Sequence, residues 1–177
     1  MRDISYIPKY NFDDYKNWEG RWELIEGSPY AMTPLPPIKH QNISGNIHSE
    51  LKKSLENCTT CIPLLPVDWK IDENTILQPD NCVICYSIDE KDNYLTKAPS
   101  LIFEILSPST ATKDKILKYQ IYQEQKVKYY IIVEPKNNTY EIFALYNDLY
   151  EKVDIYNSNF IFHLEECIIN FDFNKIW

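Results

Sequence analysis

Leu101-Ile102-Phe103-Glu104-Ile105-Leu106, closed by Ser107-Pro108, is the stretch that decides the fold. Apolar side chains occur at both parities, which marks a central strand buried on both faces. Its one carboxylate is out of place there. An ionised Glu104 in an apolar interior costs several kcal/mol unless a cation, a hydrogen-bonding partner or a proton compensates it. Beyond it, Ser107 suits an N-cap and Pro108 the first position of a helix over residues 109–125. Residues 129–133 then read as a second buried strand, ended by Glu134-Pro135. Strand, helix, strand in that order implies a right-handed parallel crossover and an α/β core.

Working outward, strands are expected over 81–86 and 61–70. A helix is expected over 37–57, because Ile43, Ile47, Leu51 and Leu55 fall within about 60° of His40 on a helical wheel. His40 therefore opens the buried stripe. Residues 22–27 and 30–32 read as a hairpin turned at Gly27-Ser28-Pro29, after a short helix within 11–18. Prolines 34, 36 and 37 lead from this hairpin into the helix. Residues 140–145, 149–155 and 160–164 read as antiparallel strands separated by polar turns such as Asn137-Asn138.

The chain has 177 residues, 44% hydrophobic and 25% charged, which suits a single globular domain spanning 1–177 with a sizeable core. No apolar run approaches the roughly eighteen residues a membrane helix needs. The first residues lack the apolar core of a signal peptide, so a cytoplasmic location and no membrane partner are expected. Net charge is −8 and the pI about 4.9, which weighs against a broadly basic nucleic-acid surface. The charge is uneven. Residues 94–128 hold six lysines against three acids, whereas 136–177 hold three lysines against seven acids.

A second acid stands at a chain corner, Asp80 in Gln78-Pro79-Asp80. On the helix after the key strand, Leu117, Lys118 and Ile121 lie within about 60° of Asp114, so Lys118 shares the apolar stripe. Lys113 and Lys115 fall about a quarter turn to either side, leaving Lys118 as the one inward lysine. A surface Asp114–Lys118 pair is the plainer reading of that spacing. Taken with Asp80 and Glu104, however, Lys118 completes the outline of a metal site. Two carboxylates and a backbone carbonyl, that of Ile105, suit Mg2+, with Mn2+ a possible substitute. Such an ion holds a scissile phosphate and acidifies a water, while a lysine positions that water and offsets transition-state charge.

The order Pro79-Asp80, Glu104, Lys118 resembles the PD-(D/E)XK nuclease superfamily, in a variant whose lysine has moved from the strand to the next helix. The chain resembles more closely the bacterial Uma-two family of restriction-type endonucleases. The resemblance rests on Trp22-Glu23-Leu24-Ile25-Glu26-Gly27, Met32-Thr33-Pro34, His40, Gln78-Pro79-Asp80, Ala98-Pro99 and residues 101–109. Asp114, Lys118, Tyr122 and residues 129–135 complete it. It implies an α/β, restriction-endonuclease-like mixed sheet flanked by helices, with additional antiparallel strands, often as a homodimer. It further implies metal-dependent hydrolysis of nucleic acid, expected to be DNA. Asp80 and Glu104 would be metal ligands, Lys118 the water-orienting group, and Glu23 and His40 residues of the same pocket. Three positions depart from the pattern: Leu106 stands where the superfamily has its usual lysine, Ser100 replaces an acid, and Lys126 replaces a glycine before Val127.

Plainer roles compete. Glu23 also reads as a water-facing strand residue beside Arg21, and Glu26 sits next to a turn. His48 lies about 12 Å from His40 along the helix, too far to share an ion. His163 has no evident partner. The pairs Cys58-x2-Cys61 and Cys82-x2-Cys85, separated by twenty residues, formally resemble a zinc site. Yet Cys82 and Cys85 lie in a strand, where residues three apart face opposite ways, and neither pair has a glycine turn. Buried reduced thiols are therefore expected, with Cys167 as an odd fifth. Three scattered glycines exclude a phosphate-cradling loop, and no G-x-S-x-G elbow is present. The rival to the nuclease reading is a catalytically inactive dimeric interaction module that keeps the fold.

Overall fold

Asn11 caps the first helical turn, α1 (Phe12–Tyr15), its side chain accepting from the Asp14 N–H while Asp14 accepts from the Asn11 N–H. This reciprocal capping box starts the helix. Strands β1 (Trp22–Ile25) and β2 (Ser28–Ala31) follow. They are joined by Glu26 and Gly27, whose φ angles of 50° and 79° suit a two-residue hairpin turn. The turn thus falls earlier than Gly27-Ser28-Pro29, and Pro29 lies within β2. That strand is the edge of its sheet, where a missing N–H is tolerated.

Helix α2 (Ile38–Ser54) buries Ile43, Ile47 and Leu51 completely, each worth about 1.5–3 kcal/mol. Then come β3 (Ile62–Leu64), β4 (Trp69–Asp72), β5 (Thr75–Leu77), β6 (Asn81–Ile84) and β7 (Leu101–Ile105). The single strand expected over 61–70 is two strands in two different sheets. Pro66 intervenes, with no N–H to continue a ladder. A π-helical turn (Lys113–Lys118) runs into α3 (Tyr119–Glu124). The chain ends with β8 (Tyr129–Glu134), β9 (Thr139–Tyr146), β10 (Leu149–Val153), β11 (Asn159–Leu164) and β12 (Cys167–Asp172). β5 and β12 go beyond the strands expected.

This computed structural model describes residues 8–33, 35–89, 91–108 and 110–177. Pro34 and Ser109, on which parts of the expected corner and helix fall, lie outside the described residues. The main sheet has the order β10-β9-β8-β7-β6-β3, a second sheet β2-β1-β5-β4, and β11-β12 form a hairpin. Strands β7 and β8 run parallel, Leu101 opposite Tyr129 through Ile105 opposite Val133. The neighbours β6 and β9 are antiparallel to them, so the sheet is mixed and the strand–helix–strand crossover is present as expected.

Alternation along β7 sorts the interior. Leu101, Phe103 and Ile105 face α2 and the Phe162, Phe171 and Phe173 rings. Ile102 faces Trp69, Tyr122 and Tyr130 on the other side. Glu104, of the same parity as Ile102, is therefore aimed at the turn Lys113–Lys118 and α3. Helix α3 stops at Lys126, whose φ is +62°. The Val127 N–H bonds the Tyr122 carbonyl and the Lys126 N–H the Gln123 carbonyl. This is a Schellman stop, and its left-handed position explains the glycine that the family pattern carries there. No helix among the described residues is long and apolar enough to cross a membrane.

The cysteines correct the expectation of free thiols. Cys58 is joined to Cys167 and Cys61 to Cys85, while Cys82 alone stays a buried thiol. Antiparallel pairing of β3 with β6 sets Ile62 against Ile84 and so brings Cys61 beside Cys85. β12 folds against α2, with the Ser54 hydroxyl donating to the Asn170 carbonyl, and carries Cys167 to Cys58. Cys82 and Cys85 do face opposite sides of the sheet.

Candidate active site

Asp80 ends the corner before β6. Its Oδ2 accepts from the Ile105 N–H at 2.8 Å and lies 3.2 Å from His40 Nε2 on α2. Pro79 cannot continue a strand, so the chain turns and leaves the carboxylate beside the end of β7. The neighbouring Asn81 ties β6 to α2 by donating to the Ser44 carbonyl at 3.2 Å. Glu104, from the middle of β7, is 2% exposed. Its Oε1 accepts from Lys118 Nζ at 2.8 Å and from the Tyr122 hydroxyl at 2.6 Å.

Lys118 is 1% exposed and stands among three acids: Glu104, Glu23 Oε1 at 2.8 Å, and Asp114 Oδ1 at 3.4 Å. The Asp114–Lys118 pair is thus buried, not the surface pair of the plainer reading. Glu23 is completely buried on β1 and does not face water. One of its oxygens pairs with Lys113, and the other accepts from the Gln78 N–H at 2.9 Å. The Gln78 side chain in turn accepts from Arg21 Nε at 2.8 Å and donates to Asp68 at 2.9 Å. Glu23 therefore anchors both the lysines and the corner that holds Asp80.

Four carboxylates (Asp80, Glu23, Glu104, Asp114) meet two ammonium groups (Lys113, Lys118), a formal excess of two negative charges before His40 is counted. Burial drives Glu104 well above the usual carboxylate range, with Asp114, Asp80 and Glu23 adding to the rise against the pull of Lys118. Burial raises Asp114 too. For Glu23 burial acts the same way, but Lys118 and Lys113 outweigh it and hold the group below its ordinary value. Burial would strip Lys118 of its proton, yet Glu104, Glu23 and Asp114 keep it well above the ordinary lysine range. Among these groups, Asp114 Oδ1 and His40 Nδ1 are buried without a hydrogen bond.

A cavity of about 30 Å³ is lined by Asp80, Glu104, Ile105, His40, Asp114 and Lys118. It adjoins a pocket of about 440 Å³, and His40 and Ser107 line both. The larger pocket is walled by Pro37, Leu106, Pro108 and Glu134. Leu106 thus sits in the outer wall, where a lysine in the superfamily's usual position would stand. Of the five side chains singled out in the sequence, Asp80, Glu104, Lys118 and His40 border the cavity and Glu23 stands behind Lys118. Glu26 is exposed at the hairpin turn, and His163 is exposed as well.

Lys113 escapes the sequence reading, and Asp114 and Tyr122 are named in it without a place in the site. Lys113 is turned inward because the helix is π-wound there: residues five apart share a face in a π-turn, whereas an α-helix sets them about 140° apart. Tyr122 did carry a signal, since Asp114, Lys118 and Tyr122 form an i, i+4, i+8 row.

A mixed sheet with one parallel pair, acids from neighbouring strands and a lysine from the next helix define a restriction-endonuclease-like protein. The Uma2 family model, described as "Putative restriction endonuclease", matches residues 12–174, and the chain belongs to that family. A crystal structure from Anabaena variabilis ATCC 29413, described as a "putative nuclease belonging to DUF820", shares the fold. Its TM-score is 0.75 at 16% identity, over 94% of this chain and 96% of that one. No curated protein matches.

Proposed function

We propose that the protein is a Mg2+-dependent endonuclease hydrolysing phosphodiester bonds in DNA, with Asp80, Glu104, Lys118, Glu23 and His40 as its site. The observation that carries this reading is the buried Lys118 ammonium, 2.8 Å from Glu104 on the rim of a cavity that Asp80 also lines. The donor set fits a hard divalent cation. Asp80, Glu104 and Ile105 border a space of about 30 Å³, in a cluster where four carboxylates meet two ammonium groups. A cation that retains several waters suits so small a set of protein ligands.

Asp80, Glu104 and the Ile105 carbonyl would hold the ion, which supplies Lewis acidity to the scissile phosphate and to a bound water. Lys118, fixed by Glu23 and Asp114, keeps its proton, so it donates hydrogen bonds to the attacking water and opposes charge building on phosphorus. Lys113 shares Glu23 with it and keeps that acid from claiming the Lys118 proton. Asp80, with one oxygen engaged by the Ile105 N–H, is fixed in direction. His40 covers its outer side and borders the larger pocket, which can admit the strand. The proposed homodimer would present two such sites to a duplex.

Incubating the purified chain with single-stranded DNA, duplex DNA and RNA, each with Mg2+, Mn2+ or no divalent ion, tests the proposal. Metal-stimulated cleavage of DNA is expected, lost on Asp80→Asn or Glu104→Gln while circular dichroism stays unchanged. Cleavage that persists in both variants sinks the assignment. A wild-type chain inert towards all three substrates, with no carboxylate-dependent binding of Mg2+ or Mn2+, would support the inactive interaction module instead.

A further inference from the structure

We infer that the reduced chain holds a structural zinc ion in a tetrathiolate site made by Cys58, Cys61, Cys85 and Cys167. The site is separate from the acidic cavity. Four segments deliver the sulfurs: the turn after α2, the start of β3, the residue past the end of β6, and the start of β12. Cys61 links the two joined pairs: its sulfur lies within 4.8 Å of those of Cys58 and Cys167, which are also that close to each other, and within 4.8 Å of that of Cys85. A tetrahedral zinc with Zn–S of about 2.3 Å sets its thiolates about 3.8 Å apart, so three of the sulfurs already lie near that spacing, and Cys85, freed from Cys61 on reduction, must swing towards Cys58 and Cys167 to complete the set.

The surroundings suit thiolates. Cys58-Thr59-Thr60-Cys61 has the two-residue spacing of a chelating turn. The Cys61 N–H donates back to Cys58 Sγ at 3.3 Å. The Thr60 hydroxyl lies 3.2 Å from Cys167 Sγ and 3.7 Å from Cys58 Sγ, placed to donate to either sulfur once the disulfide is opened and the thiol ionised. Donors that point at ligand sulfurs orient them and spread their charge.

The assignment departs from the sequence spacing. Cys82, which the C-x2-C pattern nominates, lies in the opposite core, and Cys167 from the far end of the chain takes its place. The chemistry balances. Opening the two disulfides takes four electrons and four protons from a thiol reductant. Binding one Zn2+ then releases the four thiol protons and leaves a dianionic centre. The ion would clamp the C-terminal hairpin to α2 and to the β3–β6 edge.

The test is elemental analysis of the full chain purified under reducing, oxygen-free conditions. About one zinc per chain is expected, with the thiolate charge-transfer absorption of a tetrahedral site after exchange for Co2+. Cys85→Ser and Cys167→Ser should weaken zinc binding about tenfold or more. Cys82→Ser and Asp80→Asn should leave it unchanged. Should the serine variants fail to fold, alkylation of the wild-type chain with and without zinc decides: the metal should shield Cys58, Cys61, Cys85 and Cys167. A reduced chain that takes up neither zinc nor cobalt overturns the proposal, as does a Cys82→Ser variant that loses the ion.

Discussion

Replacing Lys118 by methionine probes the charge balance of the site most directly. The side chain keeps its length and loses its ammonium, leaving Glu23, Glu104 and Asp114 buried with Lys113 as the remaining cation. Removing one partner of a buried ion pair costs about 3–5 kcal/mol. At about 2–4 °C per kcal/mol for a chain of this size, the melting temperature should fall by roughly 6–20 °C. The sign with pH follows from Glu104, whose pKa in the folded state lies above its ordinary value of 4.5. The unfolded chain ionises first, so stability is fullest below about 4.5 and drains away as pH rises through the folded value. Without Lys118 that drain deepens, so the deficit of the variant should be small near pH 5 and large at pH 8. Mg2+ should narrow it at pH 8 by returning positive charge to the same acids. Urea unfolding of both proteins at the two pH values, with unchanged m-values, measures it. A deficit under about 1 kcal/mol at pH 8 would show that Lys118 is not what makes these acids tolerable.

Tyr122→Phe deletes the 2.6 Å hydrogen bond to Glu104 and should destabilise by about 1–3 kcal/mol in a thermal melt, because the acid loses a buried donor. No change would mean that Lys118 alone satisfies that oxygen. Lys126→Gly should stabilise by about 0.5–1 kcal/mol, since φ is +62° there and the Lys126–Asp148 pair it gives up is exposed. A loss of stability in denaturant unfolding would contradict the Schellman reading of the helix end.

The strand–helix–strand core was legible because residues 101–106 and 129–133 are apolar at both parities, a pattern that only a doubly covered strand explains. Glu104 was legible for the same reason, as an acid in the wrong solvent. Lys118 was legible because its angle to Asp114 survives the change of winding, whereas Lys113 points outward on α-helical angles and inward only in a π-turn. From its neighbours alone Glu23 reads as a water-facing strand residue beside Arg21. Its burial comes from Lys113 and Lys118, some ninety residues on in the chain. The split of residues 61–70 between two sheets hung on Pro66. The meeting of Cys167 with Cys58, at a separation of 109 residues, has no local signal at all.

The π-turn at Lys113–Lys118 also sets what kinds of mutation the site can absorb. Its extra residue acts as a phase setting: deleting one position there would restore ordinary winding and swing one of the two lysines off the acids. Point substitutions on the outer surface, such as at the half-exposed Ile116, leave that phase untouched. Besides the identities of Lys113, Asp114 and Lys118, length is what this segment must preserve.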